Sequence, residues 1–429
     1  MCAFLYPDLR SLRAIGAFAL GKLSRAHPGP GSGENDLMVG SSAPPALSKG
    51  DQQAAEALLT QALGEPAVVQ TAEQVWDRGH VVRLQLASGR AVILKRQRSQ
   101  GHHGSQGSRL FGAELAALDY LKAMPEAVAP RLLGADPEAG LLLMEDLGDG
   151  ATLADSLMAA GRERVQAELI AYAEALGSLH AWSMGHRDEA ASLRAHYGPG
   201  NDAGPGWRDA VQRGKAPLLA AAATLGVASD GVAEEIDQVH RMIIGTSYLG
   251  LVHGDPCPDN VRLIDGTCRI VDFETAGWGP VAYDAAYLLA PFPSCWCFAR
   301  LPAEVAGPAV AAYRARLAAA GIELGPDWED LTTAVLAAAF LGRGQMLAEA
   351  LDRDHEWGTT TLRPRLLAWL RTFTGRAGDG TLPRLQATAA AMHNRLTERW
   401  AGLEIPDYPS LARPGSAVAQ LPRGWQPQP

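Results

Sequence analysis

The sequence predicts an α+β fold of two lobes, a small β-sheet lobe with one inserted helix followed by a larger, mostly helical lobe. Three observations predict it. Strand-like runs cluster before residue 147, helical periodicity dominates after it, and one short hairpin interrupts the helical part between Val261 and Val271. With 429 residues, 47% hydrophobic and 20% charged, the chain can bury a core large enough for both lobes.

The elements follow in order. Residues 1–50 are expected to form a disordered leader, because His27 to Lys49 is rich in Gly, Pro and Ser and poor in large apolar groups. The early run LRAIGAFALGKL is broken by Gly16 and Lys22 and lacks a following small-residue cleavage site, so it is a weak secretory signal. The first lobe is expected over 51–147. Asp51 opens an amphipathic helix that ends at Gly64. Strands are expected over Ala67–Thr71, Val81–Ala87 and Ala91–Arg96, the last two joined at Ser88-Gly89. A helix over Arg109–Met124 and strands over Arg131–Gly134 and Leu141–Glu145 complete the lobe. The helical lobe spans 148–402. Thr152 is its first N-cap, and helices are expected over Arg164–Met184, Arg208–Leu225, Gly231–Thr246, Ala303–Ala320, Trp328–Leu351, Leu362–Phe373 and Arg384–Trp400. An insertion, HYGPGNDAGPGW, separates the first two of these long helices, and the proline-rich tail over 403–429 is expected to be loose. No internal repeat is present.

Composition narrows the function classes. No apolar run reaches the roughly 18 residues of a membrane span. Five cysteines, Cys2, Cys257, Cys268, Cys295 and Cys297, are too few and too scattered for a disulfide framework, which favours a reducing cytoplasm. Cys295-Trp296-Cys297 lacks the second Cys or His pair that a zinc site needs. The net charge of −9 is uneven: the first 146 residues carry 14 Lys and Arg against 15 Asp and Glu, the remainder 24 against 32. Nucleic acid calls for a basic face and is disfavoured, while a cationic ligand of the second lobe is compatible.

The chemistry lies in Leu251–Glu274, LVHGDPCPDNVRLIDGTCRIVDFE. Asp265-Gly266 is a two-residue turn signal between runs that alternate as paired strands do. Folding that hairpin returns Asp272 to the side of the loop Asp255–Asn260. Three oxygen-bearing side chains then converge, which suits a hard cation such as Mg²⁺, with one of them left to orient a hydroxyl nucleophile. That is the apparatus of phosphoryl transfer.

His253-Gly254-Asp255-Pro256-Cys257-Pro258-Asp259-Asn260 followed by Val271-Asp272-Phe273-Glu274 closely resembles the catalytic segment of the aminoglycoside phosphotransferase and choline kinase superfamily. The block GWGPVAYDAAYLL resembles the segment that follows the metal-binding loop in that family. The resemblance implies small-molecule kinases of protein-kinase-like fold, with ATP and Mg²⁺ as cofactors. It makes Asp255 the catalytic base, Asn260 and Asp272 the Mg²⁺ ligands, and Asp284 a buried acid that braces the catalytic loop; His253 is read as a bracing residue too. It also implies that the Glu145 carbonyl and the Leu147 N–H bond the adenine edge, with Met144 behind it. The same blocks serve aminoglycosides, choline, macrolides and sugars, so they imply a small-molecule hydroxyl acceptor and no narrower class.

Other groups are placed by the residues themselves. Lys95 and Ile93 share one face of their strand and Leu94 the other, so Lys95 can meet the α- and β-phosphates as a point charge. Glu114 is the best partner to hold it; Glu126 and Asp119 are alternatives, Asp119 lying about 140° round the helix. Seven Lys and Arg and no acid lie between Arg78 and Gly112, a stretch that would stabilise a polyanion. The turn between the first two strands, in AEQVWDRGHVV, has only Gly79 for close approach to phosphates, and SQGHHGSQGS at Ser99–Ser108 is a richer, flexible loop. That irregular turn supports an alternative, a catalytically silent nucleotide-binding module of pseudokinase type. For the acceptor, the sequence offers the insertion around Trp207. It also offers Trp296, Trp328, Trp357 and Trp369 alongside Glu349, Asp352, Asp354 and Glu356, aromatics and acids that together suit an amine.

Overall fold

The computed structural model describes residues 47–75, 80–97, 104–159, 161–189, 192, 207–290, 292, 294–375 and 380–420. Expectations for the leader before residue 47, for Gly79, for His102 and His103, and for the insertion at 196–206 lie outside these residues.

Helix α1, Lys49–Leu63, starts two residues before Asp51. Ser48 is its N-cap, its hydroxyl accepting the Asp51 N–H at 3.1 Å, and Gly64 closes it with φ 71°. Strands β1 (Val69–Gln74), β2 (Val81–Leu86), β3 (Ala91–Arg96), β4 (Leu132–Asp136) and β5 (Leu141–Glu145) form one antiparallel sheet in the order β1-β2-β3-β5-β4. Period-two patterning gives the sheet two unlike faces. Val82, Leu84, Val92, Leu94, Leu141 and Leu143 pack against Ala55 and Leu59 of α1 in one small core. Ile93, Leu142 and Met144 belong instead to the large core shared with the helical lobe, the same side of β3 that carries Lys95. Helix α2, Gly104–Leu121, is inserted between β3 and β4. It starts five residues earlier than Arg109, so the end of the expected flexible loop is its first turn.

The rest is mostly helical, as a protein-kinase-like fold requires. Helices α3 (Leu153–Ala159), α4 (Arg162–Met184), α5 (Trp207–Thr224) and α6 (Val232–Ile244) lead into strand β6 (Leu249–Val252). Hairpin β7 (Val261–Ile264) and β8 (Thr267–Ile270) follows, then β9 (Gly277–Pro280), which pairs antiparallel with β6. Helices α7 (Ala282–Leu289), α8 (Ala303–Ala319), α9 (Pro326–Leu341), α10 (Gly344–Asp352), α11 (Leu362–Thr374) and α12 (Pro383–Arg399) complete it, with a two-residue ribbon of β10 (Glu356–Trp357) and β11 (Thr360–Thr361) before α11. Helix α8 lies along α4. Gly177 permits the approach, since a Cβ there would stand 2.9 Å from the Arg316 Cβ.

Two expectations fail here. The single helix over Trp328–Leu351 is two, α9 and α10, bent by 44°. The apolar period runs through the break, but Gly342 and Gly344 make a bend inexpensive, and the Arg343 guanidinium lies 4.3 Å from the Trp369 ring. Among the described residues no single helix is long and apolar enough to cross a membrane, although this bent pair passes that test by composition when joined. The tail is also not loose over 406–420. Asp407 is buried and accepts from Arg300 Nε at 2.5 Å, Tyr408 and Leu411 are in the core, and the Ser410 hydroxyl donates to the Leu157 carbonyl of α3 at 2.8 Å. An ion pair and two apolar anchors outweigh the proline content that suggested disorder.

Candidate functional site

The hairpin forms as its turn dipeptide dictates. Asp265 and Gly266 both take positive φ, 47° and 77°, and Ile264 pairs with Thr267 across the turn. At the open end Val261 pairs with Ile270, and the Val271 N–H donates to the Asn260 carbonyl at 2.8 Å. Asp272 therefore begins beside Asn260, in a left-handed conformation of φ 70° and ψ 56° that a non-glycine residue rarely adopts. Asn260 ends a single 3₁₀ turn, Pro258–Asn260, and its Nδ2 donates to the Asp255 carbonyl at 2.9 Å. The loop is closed by its own side chain.

The residues before it are held by a buried network. The Asp284 carboxylate, fully buried on α7, accepts the His253 N–H at 2.6 Å and the Gly254 N–H at 2.9 Å. His180 Nε2 of α4 lies 3.2 Å from the same carboxylate, and its Nδ1 meets the Tyr313 hydroxyl of α8 at 2.9 Å. Gly254 has φ 83°, and a Cβ there would stand 2.8 Å from the Thr275 carbonyl, so only glycine fits. His253 donates from Nε2 to the Val271 carbonyl at 3.0 Å and accepts the Asp255 N–H at Nδ1 at 3.2 Å. Both contacts use the neutral ring, and burial holds its pKa below the ordinary histidine value.

Lys95 reaches this hairpin from β3. Its Nζ lies 2.5 Å from Glu114 Oε2 on α2, 2.5 Å from Asp272 Oδ1 and 3.8 Å from Glu274 Oε2. Burial opposes its charge, but Asp272, Glu114 and Glu274 together hold its pKa well above that of a free lysine. Burial likewise pushes Glu114 up to about 7, against the pull of Lys95, because three carboxylates share one ammonium. The alternatives for Glu114 are engaged elsewhere: Glu126 pairs with Arg316, and Asp119 with Lys122 at 2.8 Å.

Beyond β5 the connection between the lobes is tied from both sides. Arg83 of β2 holds Asp146 at 2.6 Å and Asp149 at 2.5 Å, and Arg262 Nη2 of β7 donates to the Gly148 carbonyl at 2.8 Å. Leu147 lies between these anchors. The Glu145 N–H donates to the Arg131 carbonyl at 2.9 Å and its carboxylate accepts the Arg131 N–H at 3.1 Å, so the side chain is turned toward β4. Two cations of the basic stretch are thereby spent inside the lobe, Arg83 here and Arg96 on Asp51 at 3.2 Å. Of the rest of that basic stretch, Lys95 reaches the hairpin, Arg90 and Arg109 are exposed, and Arg78 and Arg98 lie outside the described residues.

The acceptor-side expectations are corrected more strongly. Trp328, Trp357 and Trp369 are buried core residues, Trp357 and Trp369 packing on each other with ring centroids 6.2 Å apart. Asp354 Oδ1 accepts the His355 and Arg363 N–H groups at 3.0 and 3.1 Å, a capping role at α11, while Asp352 and Glu356 are exposed. Of those four tryptophans Trp296 is the half-buried one, its Nε1 donating to Asp259 Oδ2 at 3.1 Å.

Four features escaped the sequence reading. Cys257, inside the loop, is joined to Cys295 by a disulfide across 38 residues. That corrects the cysteine argument: scattered positions become neighbours once the segment after α7 folds onto the loop, and the count then says nothing of compartment. Cys268 and Cys297 are buried and form no disulfide. The Tyr172 hydroxyl of α4 donates to the Pro256 carbonyl at 2.9 Å. The Tyr287 hydroxyl of α7 donates to Asp255 Oδ1 at 3.3 Å. Trp296 on Asp259 is the fourth. One signal was available: in YDAAY the spacing of three puts Asp284 and Tyr287 on one helix face.

Among the described residues no cluster of three or more His, Cys, Asp or Glu could hold a metal alone. A Mg²⁺ that keeps phosphate and water ligands needs only one or two from protein, so the pair Asn260 and Asp272 is a sufficient set.

Residues 71–331 match the family model described as APH, phosphotransferase enzyme family. No curated protein sequence matches the chain. Solved structures that it resembles include an aminoglycoside phosphotransferase from Alicyclobacillus acidocaldarius, at 15% identity and TM-score 0.43, covering 77% of this chain and 93% of that one. A macrolide 2′-phosphotransferase from Brachybacterium faecium resembles it at 19% identity and TM-score 0.42, covering 69% and 94%. A choline kinase from Cryptosporidium parvum does so at 12% and 0.39, covering 75% and 86%. Likeness at this level concerns fold and says nothing of the acceptor.

Proposed function

Because this chain belongs to the APH phosphotransferase enzyme family, we propose that it moves the γ-phosphoryl group of ATP to a hydroxyl of a small molecule, with Asp255 as the base. The observation that carries the reading is the hairpin end. It gathers Asp255, Asn260 and Asp272, and Lys95 closes on it from the other lobe.

The residues present fit a divalent cation. Glu114, Asp272 and Glu274 surround one ammonium, an excess of negative charge that a bound cation would offset. The Asp272 side chain is 31% exposed, enough to meet an ion, and Asn260 spends its amide N–H on Asp255, leaving Oδ1 as its ligand atom. Asn260 and Asp272 would hold Mg²⁺, which when bound offsets charge on the transferred group. Lys95, braced by Glu114, would meet the α- and β-phosphates, and the Glu145 carbonyl and Leu147 N–H the adenine edge.

The protein's own part is alignment. Asp255 accepts a hydrogen bond from the acceptor hydroxyl and takes its proton as the new P–O bond forms and the bond to the β-phosphate oxygen breaks, releasing ADP. In a loose transition state the hydroxyl's direction matters more than early deprotonation, so a rigid loop is the main requirement. The network of Asp284, His253, Thr275 and Tyr172 meets it. The acid surplus after residue 146 is compatible with a cationic acceptor, but the acids of 352–356 lend that idea no specific support.

Mg²⁺-dependent ATP consumption should be screened across hydroxyl-bearing amines, sugars and antibiotics. Phosphorylation of at least one is the expected result. ATP binding with no turnover on any of them would favour the silent module instead.

A further inference from the structure

We infer that Tyr287 is a positioning residue for Asp255, aiming its carboxylate from α7, an inference that rests on the phosphotransfer reading above. Tyr287 is buried, and its hydroxyl stands 3.3 Å from Asp255 Oδ1. Asp284 lies three residues earlier on the same helix face and holds the His253 and Gly254 N–H groups. One helix face therefore grips the loop twice, by backbone at 253–254 and by side chain at 255.

A carboxylate on a clamped backbone still turns about its own side-chain bonds. A hydrogen bond to Oδ1 removes that freedom and fixes the direction in which Oδ2 is presented to an acceptor. The contacts described above hold N–H and C=O groups of the loop, whereas Tyr287 acts on the carboxylate itself. The phenol is itself held: Ser294 Oγ donates to the Tyr287 oxygen at 3.4 Å, and its ring packs on Phe292 with centroids 6.5 Å apart. Ser294 is the neighbour of Cys295, whose disulfide to Cys257 fastens that segment to the loop two residues beyond Asp255. The orientation of Tyr287 is thus referred back to the loop it positions.

The competing explanation is a buried phenol that Ser294 would satisfy with no effect on Asp255. Two measurements separate them. The first needs no substrate: a double-mutant cycle of Tyr287→Phe and Asp255→Ala, read by urea denaturation. A coupling of about 10-fold in the folding equilibrium constant is expected, the low end for a hydrogen bond to a charged group because this one is long. Strict additivity overturns the contact, and Ser294→Ala in place of Asp255→Ala provides a cycle should that variant fail to fold: the relay predicts coupling there too.

The second is kinetic. With Mg-ATP and an acceptor found in the screen, Tyr287→Phe should lower kcat roughly 10-fold, as a small misalignment does, and leave the KM for ATP within about 2-fold of wild type. Unchanged kcat, or a parallel loss of ATP affinity and melting temperature, would mean a structural tyrosine and defeat the inference. Coupling in the cycle from a protein with no turnover would show instead that the contact stands and the kinase reading does not, and positioning for transfer falls with it.

Discussion

Asp284 shows how much one side chain can set. It is fully buried, and its two oxygens serve two successive N–H groups of the loop that carries Asp255. Asp284→Asn turns one acceptor into a donor facing a donor. The expected loss is roughly 2–4 kcal/mol in urea denaturation, since a charged hydrogen bond is lost and a buried N–H is stranded. A loss under about 0.5 kcal/mol would mean that the loop is held by other groups. His253 gives the loop a pH dependence. Its folded pKa is depressed below the ordinary 6.5, so the unfolded chain binds the proton first as pH falls. Its contribution is therefore fully present above pH 6.5 and declines as the solution is acidified below that value. Urea midpoints between pH 8 and 5 should fall less steeply for His253→Asn than for wild type; equal slopes would show that the ring charges freely in the fold.

Among the elements that touch the site, the segment between α7 and α8 was the least legible. The β7–β8 hairpin could be read from sequence because an Asp-Gly turn and two alternating runs are local chemistry. Strand β3 emerged at its observed limits for the same reason, and Lys95 with it. Cys257 with Cys295, Tyr287 with Asp255 and Arg300 with Asp407 are contacts whose partners lie 32 to 107 residues apart. No local pattern encodes them; they depend on where a helix packs. The break between α9 and α10 was hidden by an apolar period that continues across it. Cys257–Cys295 has a measurable consequence. Closing a loop of 38 residues restricts the unfolded chain by about 4 kcal/mol in the chain-entropy picture. Cys257→Ala with Cys295→Ala should lower the urea midpoint by a large part of that amount, and dithiothreitol should lower it for wild type alone. A double variant as stable as wild type, and indifferent to reductant, would mean that the bond is not formed in solution.

At the scale of the molecule, two lobes meet through Lys95. The β3 lysine and Asp272 stand 177 residues apart in sequence and 2.5 Å apart in space, with Glu114 and Glu274 around the same ammonium. That contact joins the sheet lobe to the hairpin of the helical lobe, and nucleotide binding would be expected between them. The proposed reaction is phosphoryl transfer to a hydroxyl at the hairpin end, with Asp255 aligning the nucleophile. The most direct measurement is turnover of Mg-ATP by wild type and Asp255→Asn on one phosphorylated acceptor, followed by ³¹P NMR alongside calorimetric ATP binding. Wild type should form a phosphate ester and ADP. Asp255→Asn should bind ATP with little change and turn over slower by about 10²–10⁴-fold, the range of a lost general base. Near-native turnover in Asp255→Asn would rule out Asp255 as the group that aligns and deprotonates the hydroxyl.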